Sequence, residues 1–234
     1  MQASVALTPL HRHQLARLTT AGWERLLDQD WDATARECLA HWAAHRLPLV
    51  VTRQRASDPR PEPLITMGLP APKRWQRRRL TLEVPRREIA YFDEFPCAGE
   101  VTPLLPKAAR ADWRRLGTLM LAEGLVVRVY GSYGWQHLSR LDHVHRGSDI
   151  DVWAAVSDPG QADVAAALLQ TFPCAGPRLD GELAFANGVS VAWREWPAWR
   201  GGRARSLLAK SLEGASLCRG LGGRRTERGM EAAP

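Results

Sequence analysis

Two aspartates at alternate positions, Asp149 and Asp151, open the stretch DIDVWAAV, which follows a strand-like run ending in Gly131-Ser132. That arrangement, VYGSYGWQHLSRLDHVHRGSDIDVWAAV, constrains the chain more than any other feature. Side chains at i and i+2 of a strand leave the same face of a sheet. The two carboxylates therefore project together, at the edge of a sheet otherwise built from Val152, Ala154 and Val156. Carboxylates this close raise each other's pKa unless a cation sits between them. Hard oxygen donors suit Mg²⁺ or Mn²⁺, and two such ions activate an attacking hydroxyl and hold a leaving pyrophosphate. An isolated D-x-D is usually a pair of solvated or capping residues. The apolar strand and Gly-Ser turn before this one make that the weaker reading here.

Gly131 lets backbone approach a phosphate closely, and Ser132 adds a hydroxyl and an N–H donor. The residues that follow suit the start of a helix, whose N-terminus favours phosphate. A third acid is expected from the strand over residues 178–186, where Asp180 and Glu182 again lie at i and i+2. Spacing does not choose between them; Asp180 is slightly preferred. The metal set read here is thus Asp149 and Asp151, also the catalytic pair, with Asp180 or Glu182.

The surrounding pattern predicts an α/β protein in two parts. The first, residues 1–105, is a small mixed module expected to dock substrate or carrier. It has a helix over 32–45, with Ala35, Leu39 and Trp42 on one face, strands over 48–53, 63–69 and 80–84, and a loop over 56–63. A Pro/Gly-punctuated stretch, 92–105, is the candidate linker. The second part, 106–217, is a mixed sheet flanked by helices. It has helices over 106–123 and 161–172 and strands over 125–130, 149–156, 178–186 and 189–195. The last two strands are joined by Asn187-Gly188, a strong hairpin signal. A weaker helix is expected over 203–217. Residues 218–234, rich in Gly, Arg and Glu, are expected to be disordered.

A net charge of +7 points to polyanionic partners. No run approaches the ~20 apolar residues that span a bilayer, no secretory signal is visible, and no membrane partner is expected. The four cysteines, Cys38, Cys97, Cys174 and Cys218, are far apart. They read as reduced thiols of a cytoplasmic protein.

Lys73-Arg74-Trp75-Gln76-Arg77-Arg78-Arg79 holds five cations and no acid. Lys73, Arg74 and Arg77 are candidate phosphate or carrier contacts, against the alternative of a solvated basic loop. Trp75 could stack on a base or lie in a core. Arg128 lies on a strand leading to the site, and His137 follows the Gly-Ser turn; both are candidate substrate contacts. His143 and His145 precede the D-x-D strand, where loop histidines are more often simply exposed. His41 and His45 stand at i and i+4 but lack the acid of a metalloprotease motif, so they read as part of an amphipathic helix.

At these residues the chain resembles the polymerase-β-like nucleotidyltransferases. More narrowly, it resembles the malonate decarboxylase holo-acyl-carrier-protein synthases, also called phosphoribosyl-dephospho-CoA transferases. The matching words are Arg128-Val129-Tyr130-Gly131-Ser132, Trp135-Gln136-His137-Leu138, Ser148-Asp149-Ile150-Asp151, Leu179-Asp180-Gly181-Glu182 and Val191-Ala192-Trp193-Arg194-Glu195, with Gly68-Leu69-Pro70 and Lys73-Arg74-Trp75 upstream. Tyr133-Gly134 departs from the more aliphatic pattern expected there. The resemblance implies a polymerase-β-like core and a metal-dependent transfer. The phosphoribosyl-dephospho-CoA group would pass from 2′-(5-triphosphoribosyl)-3′-dephospho-CoA to a serine of the apo acyl-carrier subunit of malonate decarboxylase, releasing pyrophosphate. Asp149 and Asp151 match that family's catalytic pair. Two other readings compete: a nucleotidyltransferase with a small-molecule, RNA or protein acceptor, and a basic RNA-binding protein with a dead core. The intact acid pair speaks against the last, and nucleic acid is not the expected partner.

Overall fold

Each half of the chain builds its own sheet and covers it with helices, in a computed structural model that describes residues 10–54, 63–173 and 176–219. The first half runs β1 (Leu15–Leu18), α1 (Thr20–Leu27), α2 (Ala33–Ala44), β2 (Leu49–Val51), β3 (Leu64–Pro70), β4 (Arg79–Pro85) and β5 (Ile89–Asp93). Its sheet has the order β4-β3-β2-β1-β5, with every pair antiparallel. Asp32 caps α2 by accepting the Thr34 and Ala35 N–H groups at 3.1 Å each, which satisfies donors that a helix start leaves open. Ala35, Leu39 and Trp42 are buried together, as their spacing predicts. Trp75, in the 3₁₀ turn Lys73–Trp75, is 2% exposed and packs edge-on against Trp42 at 6.0 Å. It belongs to the core and offers no face for stacking a base. The first pair of elements, β1 and α1, has no counterpart among the predicted ones.

The second half runs α3 (Arg110–Ala122), β6 (Val127–Tyr130), α4 (Gly131–Ser139), β7 (Ile150–Val156), α5 (Pro159–Gln170), β8 (Leu179–Phe185), β9 (Ser190–Ala192), α6 (Trp196–Arg200), β10 (Leu207–Lys210) and β11 (Ala215–Cys218). The sheet order is β11-β10-β9-β8-β7-β6. Among the described strands only β7 and β8 pair in parallel, and α5 makes the crossover that parallel neighbours need. Ile150, Val152, Ala154 and Val156 bury one face of β7 among residues of α3 and α5. The other face carries Asp151, Trp153 and Ala155.

One predicted element is replaced. Residues 203–217 form no helix; β10 and β11 make an antiparallel hairpin there, with a turn at Gly214 whose φ is 156°. β10 continues the sheet by pairing Ala209 with Val191 and Lys210 with Ser190. Burying Leu207 and Ala209 on alternate positions outweighs a weak local helical preference. The stretch 92–105 is closely packed. Phe95 lies in the first core, while Ala98, Val101 and Leu105, in and after the 3₁₀ helix Ala98–Leu104, lie in the second.

The halves are locked together. Trp135 of α4 sits in the first half's core, edge-on to Phe95 at 5.4 Å. His11, Arg12 and His13, ahead of β1, cross onto the open face of the second sheet. Cys38, Cys97 and Cys218 are free thiols, and among the described residues no helix is long and apolar enough to cross a membrane. The loop expected over 56–63 lies outside the described residues except for Pro63. So does the tail beyond Arg219, whereas Cys218 closes β11.

Candidate active site

Register brings the predicted acids onto one surface. Tyr130 pairs with Asp151 across β6 and β7, Asp151 pairs with Asp180 across β7 and β8, and Trp153 pairs with Glu182. Asp149 immediately precedes β7. The approach to it is held by backbone groups. Gln136 of α4 accepts the His143 and Val144 N–H groups at 3.2 and 2.8 Å, and the Ser148 hydroxyl accepts the His145 N–H at 2.9 Å. The D-x-D pair therefore enters its strand from a braced turn.

Gly131 stands at φ 60°. A Cβ there would overlap a carboxylate oxygen of Asp151 and lie 2.9 Å from its carboxyl carbon. Only glycine combines that backbone with that closeness. Gly134, one turn into α4, lies against the Val129 carbonyl, and a Cβ there would come within 2.8 Å of the Phe95 ring. The Tyr133-Gly134 pair thus serves close packing of α4 on β6, with Tyr133 itself buried.

The four acids divide by their partners. The Arg178 guanidinium bridges Asp149 at 2.5 Å and Asp180 at 2.9 Å. That hydrogen bond holds Asp149 below the usual carboxylate range. Burial, with the charges of Asp149 and Asp180, pushes Asp151 up to about 6 against the opposing pull of Arg178. Glu182 is 3% exposed. Arg12 reaches it at 3.2 Å, His13 at 3.1 Å and Lys210 at 2.8 Å. Burial works the other way, but these partners hold it well below the ordinary range. A carboxylate engaged by a guanidinium, an ammonium and an imidazole has little left to offer a metal ion.

A cleft of about 480 Å³ opens over Asp151, Gly131 and Ser132. The basic run divides around it. Lys73, Arg77 and Arg79 line the cleft. Arg74 pairs with Glu37 at 3.0 Å and Arg78 with Asp32 at 2.5 Å, both on the outer side of α2. The run is thus partly a cleft wall and partly a solvated ion-paired face, and Arg74 is not brought to the site. Neither are two other predicted contacts. Arg128 donates to the Phe95 carbonyl at 2.7 Å, and His137 faces Glu100 at 3.8 Å. His143 and His145 do line the cleft. Burial pulls His143 down to about 4, so its ring is neutral, and its Nε2 is buried without a partner among the described residues.

The three aspartates carry the donor chemistry that a hard divalent cation takes. Asp149, Asp151 and Asp180 are all oxygen donors on neighbouring strand positions, and the raised pKa of Asp151 marks crowded negative charge. Among the described residues no three His, Cys, Asp or Glu side chains form a ready metal cluster; Arg178 instead engages two of the three aspartates. Sequence reasoning missed Arg178 and His13. Arg178 directly precedes the strand that carries Asp180, so its position was a usable signal. His13 meets Glu182 across 169 residues, a pairing no spacing rule reports.

Comparison with known proteins bears on this geometry. Residues 98–220 match the family model for the phosphoribosyl-dephospho-CoA transferase MdcG C-terminal domain, and residues 11–95 match that for its N-terminal domain. The chain is 34% identical over 206 residues to the phosphoribosyl-dephospho-CoA transferase of Bradyrhizobium diazoefficiens, covering 88% of each. It is 32% identical over 194 residues to that of Xanthomonas euvesicatoria, covering 81% of this chain and 88% of the relative. The protein of the same name from Pseudomonas aeruginosa is 31% identical over 180 residues, covering 72% of this chain and 76% of the relative. No solved structure matches. With both family domains matched in order along one chain, and relatives covered over most of their length, the protein belongs to the phosphoribosyl-dephospho-CoA transferase family.

Proposed function

We propose that this protein transfers the phosphoribosyl-dephospho-CoA group from 2′-(5-triphosphoribosyl)-3′-dephospho-CoA to a serine of the apo acyl-carrier subunit of malonate decarboxylase. The reading is a metal-dependent nucleotidyl transfer on a polymerase-β-like core. The observation that carries it is Asp151 lying against Gly131, beside Ser132, in a cleft walled by Lys73, Arg77 and Arg79.

In this reading Asp149, Asp151 and Asp180 hold Mg²⁺ or Mn²⁺, and Glu182 does not. The bound ion would neutralise charge on the attacked phosphate and polarise the attacking hydroxyl. Lys73, Arg77 and Arg79 bind the triphosphate and balance the charge of departing pyrophosphate. Gly131 leaves room for the Asp151 carboxylate beside the backbone, and Ser132 donates to a phosphate oxygen. The serine oxygen bonds to the α-phosphorus as the bond to the β-phosphate oxygen breaks, and the hydroxyl proton passes to water. His143, neutral and buried, offers its Nε2 to the bound substrate.

Intact mass of the apo carrier subunit, after incubation with the protein, donor and Mg²⁺, tests this. The expected result is a gain equal to the donor less pyrophosphate, lost in Asp149→Ala/Asp151→Ala. No gain with folded wild-type protein would overturn the carrier as acceptor. A screen of other hydroxyl acceptors would then decide whether the nucleotidyltransferase reading stands.

A further inference from the structure

A second cavity, of about 790 Å³, opens on the same side of β7 and β8 as the cleft. His11, Trp153, Ala155, Ala184, Gln161 and Asn187 are among the residues that line it. Seven of the ten tryptophans are 5% exposed or less. Trp153 is not one of them. It is half-buried on the open face of β7, and its ring stacks with His11 at 5.6 Å and 16°. Ala155 and Ala184 pair across β7 and β8 beside it. Their small side chains leave a flat apolar floor next to an aromatic wall. At the rim, the Gln161 and Asn187 side-chain oxygens accept the Ser157 and Val189 N–H groups. Among the described residues each amide keeps its NH₂ to donate.

We infer that this cavity binds the adenine base of the donor's dephospho-CoA portion, while the cleft takes its triphosphate end. The inference rests on the transferase reading above. A purine matches the site because it needs one aromatic face, an apolar floor and a few amide donors for its ring nitrogens. The distances also agree. A strand advances roughly 3.3 Å per residue, so Trp153 lies roughly 7 Å and Ala155 roughly 13 Å along β7 from Asp151. In the donor, a single ribose separates the reacting phosphate from adenosine, a span of that order. The cleft alone is too small for the whole molecule. His13 lines the cleft, while His11 and Arg12 line the second cavity. The crossing segment therefore lies between the two sites, and the donor passes over it.

Isothermal titration with three probes tests the inference: AMP, 3′-dephospho-CoA, and tripolyphosphate with Mg²⁺. Two variants are compared with wild type. Ala155→Trp fills the cavity from an exposed position, and Trp153→Ala removes the stacking wall. The expected result is about tenfold or greater weakening of AMP and dephospho-CoA in both variants, with tripolyphosphate affinity unchanged. Equal dephospho-CoA binding by wild type and by both variants, with thermal melts showing each folded, would overturn the inference. So would wild-type protein that binds tripolyphosphate but neither adenine-containing probe, an outcome that leaves the transferase reading intact. Dephospho-CoA binding lost in Ala155→Trp, with no transfer to the carrier by wild type, would support the cavity and sink the acceptor assignment alone.

Discussion

Arg178 donates to Asp149 at 2.5 Å, and the same nitrogen lies 2.9 Å from Asp180. The chain thus supplies its own cation to two carboxylates that the proposed mechanism assigns to a metal ion. A guanidinium and Mg²⁺ compete for the same charge, so binding one must release the other. Arg178 is largely exposed, and solvent screening keeps such ion pairs weak. Arg178→Gln is therefore expected to tighten apparent Mg²⁺ affinity by about three- to tenfold. Titrating the melting temperature against Mg²⁺ reads this directly; an unchanged midpoint would show that Arg178 does not guard the site.

Two glycines with similar backbones separate conformation from space. Gly131 has φ 60° and lies against Asp151, whereas Gly124 has φ 69° and nothing within 4 Å of its would-be Cβ. Each substitution by alanine carries the left-handed cost of about 1–2 kcal/mol. Gly124→Ala should lose that stability and keep activity. Gly131→Ala should in addition lose about 100-fold or more in transfer rate, because displacing Asp151 disturbs the reacting geometry. Equal activity in the two variants would remove Gly131 from the proposed mechanism.

The basic run should split functionally as it splits in space. Lys73→Ala, Arg77→Ala and Arg79→Ala are each expected to raise donor KM about five- to twentyfold, with the difference shrinking in high salt. Arg74→Ala and Arg78→Ala remove exposed pairs with Glu37 and Asp32. They should cost little stability and leave KM alone. Steady-state kinetics at two salt concentrations, beside thermal melts, distinguishes the two sets.

Glu182 anchors the crossing segment to the sheet. Glu182→Gln leaves Arg12, His13 and Lys210 without their anion, and breaking a buried charge pair costs about 3–5 kcal/mol. The folded-state carboxyl is held below its ordinary value of 4.5. Its stabilising contribution is therefore present above about pH 4.5 and fades as pH falls through the depressed folded value. Wild type should lose melting temperature below pH 4.5 more steeply than the variant, converging on it in acid. Parallel curves across that range would refute the role.

Local pattern carried much of this protein. Period-two alternation from Asp149 onward specified which side chains of β7 share a face, and period-3.6 spacing put Ala35, Leu39 and Trp42 inward on α2. Asn187-Gly188 specified the β8–β9 turn, where Gly188 stands at φ 79°. Each of these depends on residues a few positions apart, so each is written in the chain itself. The second hairpin was not legible, because β10 is a strand through its pairing with β9 rather than through its own preference.

By itself, the sequence determined that two aspartates would leave one strand edge together after a Gly-Ser turn, because side-chain direction along a strand follows from backbone geometry alone. Only the tertiary structure decided what those acids face. It sent Glu182 to Arg12, His13 and Lys210, gave Arg178 to Asp149 and Asp180, and divided the run from Lys73 to Arg79 between cleft and α2. It also buried Trp75 while leaving Trp153 on an open surface. These outcomes depend on which distant segments pack together, and burial energy summed over two whole cores settles that, not any local period.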